Sequence, residues 1–254
     1  MVEAASVADA AVIAATDSEE KPLPDPASFQ ILPLGDAAIT VKFGDTIDRD
    51  LHRKVQALEN YFADHSLQGM IEQVPAYATL TIYYDPLQRS FRELAEELRG
   101  IIAELADAPE THPRIVEIPV CYGGDFGPDL EFVAQHNSLK TDEVVQIHSD
   151  CEYLVYMIGF APGFPYLGGM SPRIAAPRRD SPRLQIPVGS VGIAGTQTGV
   201  YPIETPGGWQ LIGRTPIELF RPQENPPTLL RAGDIVRFRP ITTEEYFSLR
   251  AASQ

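Results

Sequence analysis

The sequence predicts a small α+β domain followed by a mainly β domain whose strands close, or nearly close, into a barrel. Up to Leu105, short strands and two helices with apolar stripes follow one another in the order ββαββα. The stretch Ala106 to Pro113 (ADAPETHP) then breaks the pattern and reads as a linker. Beyond Tyr153 the helical period disappears, and short apolar runs alternate with Gly and Pro at near-regular intervals. The expected boundaries are 1–27 for an acidic extension, 28–110 for the α+β part and 114–245 for the barrel.

Residues 1–27 are Ala-rich and acidic. They lack the basic start of a secretory signal, and their apolar run is too short and too alanine-heavy to cross a membrane. The expectation is a disordered extension on a cytoplasmic protein with no membrane segment. From Ile31, ILPLG and AITVKFG read as strands around a Gly35-Asp36 turn. Leu51, Val55, Leu58 and Phe62 then recur at helical spacing. In ATLTIYYD, Leu80, Ile82 and Tyr84 alternate with Thr79, Thr81 and Tyr83, as in a half-buried strand. Ser90 and Glu93 have capping-box spacing and open a helix carrying Phe91, Leu94, Leu98, Ile101, Ile102 and Leu105.

After the linker, IVEIPVCY is a strand, Pro128 marks a short helix, and Thr141-Asp142-Glu143 starts another. The strand candidates that follow are YLVYMIGF, RLQIPVG, VGIAG, WQLIG, IELF and DIVRFRP.

The formal net charge of −15 argues against nucleic-acid binding, which needs a Lys/Arg surface to neutralise phosphates. Cys121 and Cys151 are the only cysteines and read as reduced thiols. The region from Gly159 to Pro216 inverts the charge: it has Arg173, Arg178, Arg179, Arg183 and Arg214 against only Asp180 and Glu204. It also concentrates 11 of the 19 glycines and 9 of the 23 prolines. In PRRDSPR, prolines stiffen the loop carrying Arg178, Arg179 and Arg183, whose planar guanidiniums suit carboxylate or phosphate. The alternative is a solvated basic loop paired with local acids such as Asp180.

Ser190 to Gly199, with Ser190, Thr196, Gln197 and Thr198, can cradle an oxyanion through backbone N–H groups; the alternative is a glycine-rich strand bend in a barrel. His148 and Asp125 are candidate catalytic groups, though a His near a helix end and an Asp in a turn are commonly structural. A zinc site from His136, His148, Cys121 and Cys151 fits no known ligand spacing, so no metal is expected. There is no GxSxG, HExxH, CxxC, Walker A, kinase or biotin-attachment motif.

CYGGDFGPDL, EYLVYMIGFAPGFPYLGG and PRRDSPRLQIPVGSVGIAGTQTGVYPIETPGGWQLIGRTP, with PLGDAAITVKFGDTID near the start, closely resemble the allophanate hydrolase subunit 1 family. The resemblance runs from about Phe29 to Pro240 and leaves residues 1–28 outside it. That family includes the B subunit of the bacterial 5-oxoprolinase and the kinase inhibitor KipI. The resemblance implies a cyclophilin-like barrel and obligate partnership with two other proteins. One is the enzyme's C subunit, which is allophanate hydrolase subunit 2-like, and the other is its A subunit, which is LamB/YcsF-like. It also implies that the assembled enzyme uses ATP with Mg to open 5-oxo-L-proline to L-glutamate. On that basis Arg178, Arg179 and Arg183 would clamp a carboxylate or phosphate, Ser190 to Gly199 would stabilise an oxyanion, and Trp209 would wall the pocket. Alternatives within the same resemblance are a KipI-like inhibitor of a histidine kinase and an accessory component of a urea or allophanate amidolyase system.

Overall fold

In the computed structural model, which describes residues 29–105 and 113–252, alternating burial and helical stripes produce most of the predicted elements, and short strands at 165–168, 197–200 and 205–207 come in addition. The extension expected over 1–27, and all of the expected linker except Pro113, lie outside the described residues. The first sheet comprises β1 (Gln30–Pro33), β2 (Ala38–Lys42), β3 (Met70–Pro75) and β4 (Thr79–Tyr84), in the order β1-β2-β4-β3 and antiparallel throughout. Helices α1 (Arg49–Asp64) and α2 (Phe91–Leu105) lie on one face of it. Their Val55, Leu58, Phe62, Leu94, Leu98 and Ile101 share a core with Ile39, Val41, Leu80 and Ile82. The predicted capping box forms: the Ser90 N–H and hydroxyl donate to Glu93 Oε2, and the Glu93 N–H returns a bond to Ser90 Oγ.

The second part is a closed barrel of seven strands in the order β10-β7-β6-β13-β5-β12-β9. They are β5 (Ile115–Tyr122), β6 (Glu152–Ile158), β7 (Pro165–Gly168), β9 (Ser190–Ala194), β10 (Gln197–Val200), β12 (Gln210–Arg214) and β13 (Ile235–Pro240). β8 (Arg183–Ile186) and β11 (Thr205–Gly207) form a separate two-stranded ribbon. Helices α3 (Leu130–His136) and α4 (Thr141–Asp150) pack on the barrel wall. The interior is filled by Ile118, Val120, Tyr153, Val155, Val191, Ile193, Val200, Ile212, Val236 and Phe238. β13 runs parallel to β5 and antiparallel to β6, so the last strand locks beside the first.

Two expectations need correcting. The barrel domain does not end on its last strand: α5 (Thr243–Ala252) follows and extends past the expected limit at residue 245. It carries no apolar stripe, because only Tyr246 of this helix is buried. The IELF run is no strand either; within it only Phe220 makes an isolated bridge, to Thr228. Among the described residues, no helix is long and apolar enough to cross a membrane.

The first sheet and the barrel touch through rings. His52 of α1 packs edge-on against Tyr156 at 4.8 Å, and Tyr77 lies 5.2 Å from Tyr156 and 6.2 Å from Tyr166. The Gln197 amide nitrogen donates to the Tyr77 hydroxyl at 3.4 Å.

Candidate functional site

The site is built on a turn that only glycine permits. A Cβ on Gly127 would lie 2.0 Å from the Ile212 carbonyl oxygen, so the Gly123–Pro128 turn can rest on β12 only without a side chain there. That contact delivers Asp129 to the barrel wall. Asp129 precedes α3, but its carboxylate makes no capping bond. Instead it turns inward: the Leu211 N–H donates to Oδ2 at 2.7 Å, while the Asp129 N–H donates to the Leu211 carbonyl at 2.9 Å.

Two guanidiniums converge on the other carboxylate oxygen. Arg179 Nη1 donates to Asp129 Oδ1 at 3.0 Å and Arg183 Nη2 at 2.8 Å. The loop carrying them is pinned by the Arg179 N–H donating to the Gly208 carbonyl at 2.7 Å, and by Arg183 opening β8 opposite Gly207. Asp129 is buried, and its side chain is only 7% exposed against 36% for Arg179 and 22% for Arg183. One carboxylate therefore faces two cations and leaves a local excess of one positive charge. Two further donors, Arg179 Nε and Arg183 Nη1, are buried with no partner among the described residues. A buried N–H without an acceptor is costly, and both groups have the geometry to donate to an anionic or carbonyl oxygen.

An aromatic wall stands beside the arginines. Phe164 meets Trp209 at 5.8 Å and Tyr201 at 5.7 Å, both edge to face, over Ile186 and Leu211. The rings are seated on glycines: a Cβ on Gly199 would lie 3.0 Å from Phe164 and 3.2 Å from Trp209, and one on Gly207 2.7 Å from the Tyr201 hydroxyl. Burial pushes the Tyr201 hydroxyl up to about 12, with Arg178 and Arg183 opposing it, so the hydroxyl stays protonated at neutral pH. Arg178 itself is exposed and has no ion-pair partner among the described residues.

The sequence candidates thus separate. Arg179 and Arg183 come together on Asp129, Trp209 follows the Gly208 whose carbonyl holds the Arg179 N–H, and Arg178 is near enough to act on the Tyr201 hydroxyl. Ser190 to Gly199 is not an open cradle of free amides: β9 and β10 pair along it in an antiparallel hairpin. Ser190 is fully buried and its hydroxyl lacks a partner among the described residues, Thr196 is exposed in the turn, and Gln197 points to Tyr77. Asp125 is exposed in the Gly123–Pro128 turn.

His148 is sealed in the wall of the barrel and cannot reach a substrate there. The Tyr122 hydroxyl pairs with Nδ1 at 2.8 Å and Thr198 Oγ1 with Nε2 at 2.9 Å, and Thr198 also donates to the Gly192 carbonyl. One tautomer satisfies all three contacts, with the proton on Nε2. Both ring nitrogens are therefore engaged, and the zinc quartet with His136, Cys121 and Cys151 does not form. Among the described residues no cluster of three metal-ligating side chains occurs.

Burial lowers the His148 pKa to about 3. The unfolded chain binds this proton near pH 6.5, so its contribution is fully present above that pH and is lost as pH falls toward 3. The stability gap between the wild type and His148→Gln is expected to narrow from pH 7 to pH 5, by at most about 1.4 kcal/mol per pH unit. Urea unfolding at both pH values reads it, and a gap that does not change with pH would contradict a neutral buried imidazole.

Asp129 is the residue that sequence reasoning missed. Its partners lie 50 and 54 residues away, and its position before α3 suggests only a helix cap.

Residues 29–230 match the family described as carboxyltransferase domain, subdomain C and D. The chain belongs to this family. Among its relatives, the 5-oxoprolinase B subunit of Bacillus subtilis (strain 168) is 54% identical over 235 residues, which cover 89% of this chain and 98% of that protein. The 5-oxoprolinase B subunit of Escherichia coli O157:H7 is 42% identical over 207 residues, 82% of this chain and 94% of its own length. The crystal structure of TTHA0988 superposes with a TM-score of 0.71 at 36% identity, covering 80% of this chain and 40% of that one. This member of the carboxyltransferase subdomain C and D family is thus similar along most of its length to proteins named as enzyme subunits.

Proposed function

We propose that the chain is the B subunit of an ATP-dependent 5-oxoprolinase, opening 5-oxo-L-proline to L-glutamate with the C and A subunits of that enzyme. Two domains divide the labour: the α+β part and the cyclophilin-like barrel that carries the site. The observation that carries the reading is the Asp129–Arg179–Arg183 cluster, with its excess positive charge and two buried, unpaired guanidinium donors. 5-Oxoproline offers a carboxylate and a lactam carbonyl, and ATP offers a phosphate; each suits a planar guanidinium. In this reading Trp209, Tyr201 and Phe164 form the apolar side of the site, and Arg183, at 22% exposed, is the drier of the two arginines.

In this reading the B and C subunits activate the lactam by moving the terminal phosphoryl group of ATP onto the carbonyl oxygen. Water adds to the activated carbon and the ring C–N bond breaks with protonation of the nitrogen. A second water releases phosphate, leaving L-glutamate and ADP, and the A subunit completes this hydrolysis. The roles of this chain are to orient the substrate anion and to offset negative charge as it grows in the transition state.

The test is glutamate release from 5-oxoproline, ATP and Mg by the purified A and C subunits, with and without this chain. Release that requires the chain is the expected result. Three folded, associated proteins that release no glutamate would overturn the substrate assignment and point to another amide or ureide.

A further inference from the structure

The turn that delivers Asp129 is built from residues that do not fix their own shape. Between Gly123 and Pro128, positions 123, 124 and 127 are glycine, and Gly123 and Gly124 take left-handed φ values of 72° and 51°. Such a segment has many conformations open to it, so its single geometry is imposed by what packs against it. Backbone bonds supply part of this. The Gly123 N–H donates to the Ile212 carbonyl at 3.0 Å, and the Gly123 carbonyl accepts from the N–H groups of Phe126 at 3.0 Å and Gly127 at 2.9 Å. Of the side chains in the turn, Asp125 and Pro128 are exposed, and only Phe126 is half-buried.

Phe126 is held by two elements outside the turn. The guanidinium carbon of Arg214, on β12, lies 5.8 Å from its ring centroid. From α5, Tyr246 meets it at 4.5 Å and Phe247 at 6.1 Å. Tyr246 is the one buried residue of α5, at 2% exposed, and the helix is tied to β13 by Arg239 Nη2 donating to Glu245 Oε1 at 2.8 Å. The last helix therefore buries a single ring, and it sets that ring on the turn that carries Asp129. β12 runs beneath the whole assembly: Leu211 holds Asp129, Ile212 holds Gly123, and Arg214 faces Phe126.

We propose that Tyr246 and Phe126 are positioning residues of the arginine site: α5 braces the glycine turn through their ring contact, and the braced turn keeps Asp129 where Arg179 and Arg183 converge on it. Both act through Asp129. Its carboxylate makes no capping bond to α3, so the helix it precedes does not aim it. Without the Tyr246 ring the turn regains the freedom of its glycines, and Asp129 moves with it. Only the turnover readout below rests on the proposed function.

The brace is tested first on the chain alone. Arg179 Nε is buried, so its proton exchanges slowly with water and can be followed by NMR after isotopic labelling of arginine. In Tyr246→Ala this proton is expected to exchange more than about tenfold faster, while the amide of the fully buried Ile193 keeps its wild-type rate. A general loss of stability would speed both. Tyr246→Phe keeps the ring and is expected to restore slow exchange. Tyr83→Ala, which removes a ring on β4, is expected to exchange as wild type. In the complex with the A and C subunits, Tyr246→Ala is expected to lower kcat/KM by about tenfold or more, and Tyr246→Phe to recover it to within about twofold.

Wild-type exchange at Arg179 in folded Tyr246→Ala would overturn the brace, and so would a Tyr246→Phe as impaired as Tyr246→Ala. If Tyr246→Ala speeds Ile193 as well, Phe126→Leu decides, because it keeps an apolar side chain but removes the ring between Arg214 and Tyr246. Faster exchange at Arg179 alone in that variant would support the brace, and unchanged exchange would overturn it. A wild-type complex that releases no glutamate would overturn the proposed function and leave the exchange result standing.

Discussion

Asp129→Ala is expected to lose about 3–5 kcal/mol of folding stability, the usual cost of removing one partner from a buried ion pair. The carboxylate is nearly inaccessible and answers three donors: two guanidiniums and the Leu211 N–H. Deleting it leaves like charges side by side and an amide without an acceptor. Because Arg179 keeps 36% of its side chain in water, part of that charge remains hydrated, which places the loss toward the lower end of the range. Asp129→Asn keeps an acceptor for Leu211 but not the charge, and should fall between wild type and Asp129→Ala in urea unfolding. A loss below about 1 kcal/mol for Asp129→Ala would mean that the pair is solvated and that the arginines are held by other contacts.

On the proposed function, Arg183→Met in the complex with the A and C subunits is expected to lower kcat/KM by about 10²–10³, the cost of removing one donor aimed at developing charge. The variant leaves one guanidinium facing one carboxylate, so the excess positive charge disappears while the methionine stem keeps the apolar packing. Arg183→Lys should recover little, because a point charge does not reproduce the planar fork that reaches Asp129 with one nitrogen and offers a second to a ligand. Circular dichroism and association with the partner proteins serve as the controls for folding. Full turnover by assembled Arg183→Met would remove Arg183 from the site.

How far these features are legible in the sequence depends on the distance over which they are encoded. The Ser90–Glu93 box, the alternation in β4 and the stripe of α1 involve residues within a few positions of one another, and each forms as expected. The closed barrel follows from the rhythm of Gly and Pro. The arginine loop is visible because its charge opposes that of the chain, yet its counter-ion is not. Asp129 lies 50 residues before Arg179, whereas the acid that the sequence itself offers beside the arginines is the adjacent Asp180.

The glycine-rich stretch misleads for a physical reason. Gly199 serves close packing by the Phe164 and Trp209 rings, and Gly192 by the Trp209 Cβ and the Gln210 carbonyl, not exposure of amides, and the two demands leave the same mark in a sequence. Likewise α5 buries little beyond Tyr246 and so shows no apolar stripe; its local signals are the Glu245 N–H bond to Thr242 Oγ1, the acidic first turn and Arg250 in the last.

The parallel pairing of β13 with β5 also governs the order in which the protein can be made. On a translating ribosome, the first sheet and its two helices have all their core residues by Leu105 and can fold as soon as they emerge. The barrel has no such freedom. Its opening strand must wait until synthesis reaches Arg214 for its neighbour β12, and until Pro240, which pairs with Val120, before β13 flanks it on the other side. Long-range closure of this kind is slow and leaves apolar edges open to wrong partners. The nascent barrel, rather than the finished one, is therefore the stage at which this chain depends most on chaperones.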